Sequence, residues 1–571
     1  MSKTTACPLD CYDACSIEFK DGKITPVKEG YTNGFLCPHL NHYTEFETIK
    51  NPRFKGKEIS MNEALEILKR MLQEAMPSKT LHYRGSGNFG LMQEVTDHFF
   101  ASYGAVLTDG SLCDGAGEAG IVDGRGFNAM LTPEDIAKSD VVIFWGRNPH
   151  TTSSHLLPLL KDKTIIVIDP VKTQIAKEAD LHIQLKPHGD YALAMLLCRF
   201  LHIHGDSAEE YMKEYAPEYQ DFYEITQTIR IKATVDEIDV SLGDIGELLA
   251  YVTGKKVAIV VGVGVQKYAD GADIMRAIDA FGVFLGLFGK EGSGVAYLGN
   301  SKEGITSPFY TKARRVSKVD TLFANYNTVF IQGANPLSQM PNTNRVKLSL
   351  EKVKNIVYFG LHENATSQIV SLVIPAKSFL YKNDIRTSYS HHTMLEMPQV
   401  AQSEYGISEY DLAKYLCEAF NIELQEEKFY LDHFKSFAQE NSKGILEVKN
   451  RKKQTIEDEF EFLDEYDNDF NMSDDYFLIT PKSKKSLNSQ FHVETNVYLH
   501  PSLGFAEEKR VKIASIAGEA EFIVKHKEDL RKDCVLIYSA TDGVNNITTS
   551  KHSYEGKSAI YQELKVKIIK I

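Results

Sequence analysis

The chain has 571 residues, enough for about three to five domains at roughly 100–200 residues each. With 64 Lys+Arg against 78 Asp+Glu it carries a formal charge of -14, which argues against general binding to nucleic acid or anionic membranes. Its 43% apolar and 25% charged residues exclude a mostly disordered chain, and no run approaches the roughly 18 consecutive apolar residues of a membrane helix. The opening Met1-Ser-Lys-Thr-Thr-Ala has neither an apolar export segment nor a twin arginine, so a cytoplasmic protein is expected.

Four of the 8 cysteines, Cys7, Cys11, Cys15 and Cys37, crowd into the first 37 positions with the spacing C-x3-C-x3-C-x21-C. In a reducing compartment such a cluster points to metal rather than to disulfides. Structural zinc usually recruits C-x2-C pairs, and none occurs here. Three close cysteines and one distant one suit a [4Fe-4S] cube, each iron taking one thiolate. Zinc and unligated thiols stand as alternatives. Cys198 and Cys417 sit in apolar helical patterns and are expected in the core.

Beyond the cysteines, Met61 to Met76 has helical apolar spacing, with Asn62 as expected N-cap and Pro77 as stop. From about residue 81 short apolar strands alternate with helical stretches, the pattern of an α/β protein with parallel sheets. Val141–Phe144 runs into Trp145-Gly146-Arg147-Asn148-Pro149, and Thr328–Ile331 into Gln332-Gly333-Ala334-Asn335-Pro336. Second strands follow at 164–169 and 356–359, and third strands at 181–185 and 369–374. This is a diverged repeat of a strand, a G-x-N-P turn and further parallel strands. A glycine at a strand's carboxyl end lets backbone approach a ligand, and nearby N–H groups with a helix N-terminus can hold phosphate. Val257–Val261 followed by Gly262-Val-Gly264 adds another strand and glycine loop, without the third glycine of a dinucleotide fingerprint. Lys449–Lys453 is basic and Glu457 to Asp475 holds ten acids among 19 positions, read as a solvated linker or surface hairpin. Short strands from Phe477 onward, including Val511–Ile516 and Cys534–Tyr538, make a small β domain.

The opening CPLDCYDAC, then GFLCPH, WGRNP, the Asp169-Pro170 turn and the closing DGVNNITTS resemble, in this order, the molybdenum or tungsten oxidoreductases that bind two pterin guanine dinucleotides. Formate dehydrogenase and dimethyl sulfoxide reductase typify them. The resemblance implies an α/β multidomain protein with four parts: an iron–sulfur domain over 1–50, two pseudo-symmetric, interleaved Rossmann-like pterin-binding domains over 51–435, a charged linker over 436–475, and a β-barrel over 476–571. It also implies a [4Fe-4S] cluster on Cys7, Cys11, Cys15 and Cys37 and a molybdenum or tungsten bis(molybdopterin guanine dinucleotide). Carried over by position, Gly146 and Asn148 belong to one pyrophosphate turn, and Gly333, Asn335 and Pro336 to the other. Asp169, Pro170 and Asp190 lie near a guanosine, while Thr480, Asn545 and Asn546 reach the pterins from the last domain. Trp145, the only tryptophan, together with Gly262 and Gly264, completes the cofactor set. Cys113, in the loop Gly110–Gly117, occupies the place of the metal's protein ligand.

Three departures from the family pattern matter. Many members carry Lys or Arg after the fourth cysteine; here His39 takes that place and is the candidate for bridging cluster and pterin. The chain is short and its last domain looks trimmed. Cys113 is followed by Asp114, where formate dehydrogenases place histidine, which disfavours that activity. Among the histidines, His150 and His155 read as surface or substrate-gate residues and His391-His392 as uninformative. Asp13 invites comparison with tungsten hydratases. The function expected is a redox enzyme moving an oxygen atom or a hydride equivalent on a small molecule, its cluster passing electrons to a protein partner. A scaffold subunit without catalysis and a non-redox hydratase are the alternatives.

Overall fold

The structure, a computed structural model, describes residues 3–28, 34–85, 90–309, 312–466, 475–491, 494–539 and 541–571. At the N-terminus β1 (Lys3–Ala6), β2 (Ser16–Lys20) and β3 (Lys23–Pro26) form an antiparallel sheet. The cysteine loop between β1 and β2 packs with Leu9 and Leu40 on Phe379, Met397 and Leu487.

Two large sheets interleave along the chain. β4 (Arg53–Phe54), β5 (Lys57–Glu58), β6 (Thr80–Arg84) and β7 (Val106–Asp109) begin one of them. The other consists of β8 (Val141–Trp145), β9 (Thr164–Ile168), β10 (Leu181–Ile183), β11 (Val257–Val261) and β12 (Gly294–Ala296). β13 (Arg315–Ser317), β14 (Thr328–Gln332), β15 (Asn355–Gly360) and β16 (Leu372–Pro375) then complete the first. The strand orders are β10-β9-β8-β11-β12 and β13-β7-β6-β14-β15-β16-β4-β5, parallel except at the β16-β4-β5 edge. In each sheet the chain winds one way from the strand preceding G-x-N-P and the other way from its neighbour. β8/β11 and β14/β6 are therefore topological switch points, where a ligand crevice opens at the carboxyl ends of the strands.

The central strands are largely apolar because both faces are covered. Along β8, Val141, Ile143 and Trp145 enter one core while Val142 and Phe144 enter another. Along β14, Phe330 faces one layer and Val329 and Ile331 the opposite one. The predicted helix spans Met61–Glu74, but its N-cap is Ser60 rather than Asn62. Ser60 and Glu63 close a reciprocal capping box, the S-x-x-E signature that was present in the sequence.

The acidic stretch is not simply solvated. After a hairpin of Ala438–Glu440 with Leu446–Val448, residues Ile456, Phe460, Phe462 and Leu463 are buried in the core of the β8–β12 sheet. The aromatic residues alternate with Glu459 and Glu461, so an extended backbone turns one side inward and the acids outward. Positions 467–474 of that stretch lie outside the described residues. The last domain forms a complete closed sheet. Tyr476–Ile479, Asn496–Leu499, Arg510–Ser515, Gly518–His526, Cys534–Leu536 and Lys565–Lys570 close into a six-stranded barrel, and closure leaves no free sheet edge.

Candidate functional site

A cavity of about 1340 Å³ opens at the carboxyl ends of both sheets and is walled by the cysteine loop and the barrel. Its walls carry 14 Lys and Arg against 9 Asp and Glu, the reverse of the chain's overall balance. An acidic protein that lines a large cavity with cations is built for an anionic occupant.

Both switch points reach this cavity through matching pairs of glycines. Gly146 turns at φ +63° and Gly333 at φ +55°, left-handed values that disfavour any side chain. Each is anchored to the neighbouring strand: Gly146 N–H donates to Ile168 O at 2.8 Å, and Gly333 N–H to Phe359 O at 2.9 Å. Across each crevice stands a second glycine. Gly262 N–H donates to Trp145 O at 2.7 Å and Gly85 N–H to Gln332 O at 2.8 Å. A Cβ on Gly262 would lie 1.8 Å from Gly146 O, and one on Gly85 2.3 Å from Gly333 O. Both crevices are therefore backbone-walled slots. Gly85, missed in the sequence, could have been found from the glycine directly after the strand at 81–84.

The asparagines organise the turns from behind. Asn148 Oδ1 accepts from His150 N–H at 3.2 Å, capping the short helix Pro149–Thr152. Asn335 Oδ1 accepts from Thr366 Oγ1 at 2.8 Å and from Thr366 N–H at 3.3 Å, ahead of Pro336–Gln339. Each proline occupies the first helical position, where no N–H is needed. Both helices have four residues, too short for the dipole support to phosphate that the sequence suggested.

The first crevice holds two buried acids. Burial, with Asp190 nearby, pushes Asp169 up to about 7, and burial pushes Asp190 up to about 6. Trp145 is not on the cavity wall as expected: fully buried in the core, it donates Nε1–H to Asp190 Oδ1 at 2.6 Å and so orients that carboxyl. Pro170, Gly264, Thr480 and Asn545 line the cavity; Pro336 and Asn546 do not. Asn545 Nδ2 donates to Ser338 O at 2.7 Å, tying the barrel to the second turn.

Cys113 is exposed within the cavity wall. Its N–H donates to Ser111 Oγ at 2.8 Å, and its carbonyl accepts from Gln266 Nε2 at 2.8 Å and from Lys267 Nζ. Lys267 Nζ also donates to Leu112 O at 2.7 Å. Burial lowers Lys267 to about 8; Cys113, open to the cavity but hemmed in by its walls, is raised to about 11 by desolvation there and by Asp114. Gln266 and Lys267, one residue beyond Gly262-Val-Gly264, were passed over in the sequence. The Asp114 carboxylate is held by Ser111 Oγ at 2.6 Å and does not line the cavity.

The four N-terminal cysteines converge. Burial raises all of these thiols and each of the six pairs adds to it; Cys7, raised by burial and by Cys37 against the opposing Arg386, reaches about 12. Such a set resists ionisation unless a cation compensates it. His39 does not bridge toward the cavity: buried, it meets Ser486 O at 3.2 Å through Nε2 and stacks on Phe491. His155 is not a surface residue. Its Nδ1 is 2.8 Å from Asp13 Oδ2, and although burial opposes protonation, Asp13 raises its pKa. His391 reaches the Asp13 carbonyl at 2.9 Å and Arg386 donates to the Cys7 carbonyl. These second partners came from segments too distant in sequence to be associated with the cysteines.

Comparison with known proteins places this arrangement. The family described as molybdopterin oxidoreductase matches residues 49–419, and the chain belongs to that family. It is similar to the probable oxidoreductase YyaE of Bacillus subtilis, 29% identical over 435 residues, 69% of this chain and 65% of YyaE. It is also similar to the F420-dependent formate dehydrogenase subunit alpha of Methanocaldococcus jannaschii, 23% identical over 480 residues, 72% of this chain and 69% of that subunit. The chain thus matches about two thirds of the length of these relatives. In fold it resembles acetylene hydratase from Pelobacter acetylenicus, with a TM-score of 0.81, 14% identity and full coverage of both chains. No helix among the described residues is long and apolar enough to cross a membrane.

Proposed function

We propose that this protein is a molybdenum or tungsten oxidoreductase acting on a small molecule, with one [4Fe-4S] cluster on Cys7, Cys11, Cys15 and Cys37 and a pterin guanine dinucleotide in each glycine crevice. The observation that carries it is the pair of equivalent slots, Gly146/Gly262 and Gly333/Gly85, opening into one cation-lined cavity where Cys113 is exposed. The donor set fits the implied groups: four thiols, two buried and two half-buried, whose ionised forms would repel one another, for iron; backbone slots and lysines for pyrophosphate; and a soft sulfur for a metal already held by pterin sulfurs. When bound, the metal supplies two-electron chemistry and the cluster passes electrons singly to a protein partner. The chain's own part is positional. Gln266 and Lys267 grip the carbonyls of the Cys113 loop, Asn148 and Asn335 stiffen the turns, and the barrel closes the cavity through Asn545. Because Asp114 is held by Ser111 away from the cavity, the position after Cys113 offers no proton-carrying histidine, which supports a substrate other than formate. A cytoplasmic setting belongs to the same proposal.

Anaerobically purified protein is expected to contain about four irons per chain, as one cube requires. Acid treatment should release about two GMP, one per switch-point crevice. One equivalent of zinc without iron would defeat the cluster, and a metal-loaded preparation without GMP would favour a scaffold subunit. Cys113→Ala should keep iron and GMP yet lose turnover and one sulfur neighbour in metal X-ray absorption. Full activity with an unchanged sulfur count would make Cys113 structural.

A further inference from the structure

The cysteine loop and the first glycine turn meet at a buried ion pair. From the turn the chain passes through Pro149–Thr152 and places His155 against the loop, where His155 and Asp13 are each 2% exposed. Asp13 Oδ2 lies 2.8 Å from His155 Nδ1 and 3.4 Å from its backbone N–H, while Nε2 is 3.1 Å from Phe35 O. Both ring nitrogens thus face oxygen acceptors, and the ring is fixed further by stacking on Phe35 at 4.1 Å. Cys15 Sγ is 3.5 Å from Nδ1 and 4.0 Å from Nε2. The sulfur therefore rests against the imidazole, with the Asp13 carboxylate on the same ring nitrogen. Groups in that place have electrostatic leverage on a metal centre: a bare carboxylate beside it disfavours an added electron, and a cation favours one.

We propose that Asp13 and His155 are a positioning pair that sets the reduction potential of the iron–sulfur cluster, each cancelling the other's charge at Cys15. This rests on the cluster assignment above. The pair spans two segments 142 residues apart, so it also fixes the distance between the cysteine loop and the first crevice.

The test is an EPR-monitored redox titration of the anaerobic full-length holoprotein, with iron measured in every sample. His155→Phe keeps the stack on Phe35 and takes the imidazole's charge away from Asp13. It should make the cluster at least tenfold harder to reduce, a shift of about 59 mV to lower potential for one electron. His155→Gln removes the charge but keeps a donor, so it should shift the same way, and it stands in if the Phe variant fails to fold. The double variant Asp13→Asn/His155→Phe removes both charges and should return toward the wild-type potential. Four irons retained with no shift in the single variants, or a double variant displaced as far as the single, would overturn the pair's role. Wild-type protein without iron defeats the cluster assignment and the pair with it, and is recognised from the iron measurement alone.

Discussion

The two crevices solve the same backbone problem and differ in almost every side chain around it. Each has a left-handed glycine, an opposing glycine, an anchoring N–H to the neighbouring strand and an asparagine behind the turn. The residue before the glycine is Trp145 in one, bonded to Asp190, and Gln332 in the other, bonded to His82 and Thr96. Register then sets Asp169 against Gly360, since Ile168 pairs with Trp145 and Phe359 with Gln332. The first crevice thus holds carboxyls where the second holds an amide and bare backbone. In the proposed arrangement phosphate groups need only the shared part, and discrimination between two dinucleotides falls to the part that diverged.

The comparison is most severely tested at the opposing glycines. Gly262→Ala should destabilise the protein by about 3 kcal/mol or more, the upper range of overpacking, because its Cβ meets a backbone carbonyl that cannot move aside. Gly85→Ala, with 2.3 Å rather than 1.8 Å available, should cost less, and each should remove one of the two GMP. Equal thermal losses, or GMP unchanged, would break the equivalence of the slots. At the asparagines the order reverses: Asn335→Ala should lose about 2 kcal/mol and Asn148→Ala about 1, since Asn335 holds Thr366 twice. Chemical denaturation of both variants checks the ranking.

A smaller effect separates the crevices by pH. Folding raises Asp169 to about 7 from the ordinary carboxylate value near about 4, so the folded state binds that proton more tightly. In cofactor-free protein this contribution is present below about pH 4 and is lost as pH rises toward about 7; Asp169→Asn should flatten that slope. No variant at Gly360 should do so. Smallest of all, emission of Trp145 should titrate near pH 6 through Asp190, vanish as a titration in Asp190→Asn, and be indifferent to Gln332→Ala in the second crevice.

Local regularities carried much of this from the sequence alone. Unbroken apolar runs such as 141–144 and 328–331 are strands because nothing else buries them on both faces, and G-x-N-P marks a turn whose glycine and proline each have one conformational use. The capping box at Ser60 and Glu63 was equally local and was missed for a less informative asparagine. The acidic stretch misled because charge density concealed the alternation that buries Phe460 and Phe462.

The sequence by itself determined the cysteine set, the repeated turn and the order of the strands, since these rest on chemistry and sterics within a few residues. Only the tertiary structure decided which glycine faces Gly146 and which faces Gly333, because the opposing strands come from 116 residues later in one sheet and 248 residues earlier in the other. It likewise placed Trp145 beneath Asp190, moved His39 off the cavity wall and set His155 on Cys15. Contacts of that kind depend on how whole sheets pack, and no spacing along the chain encodes them.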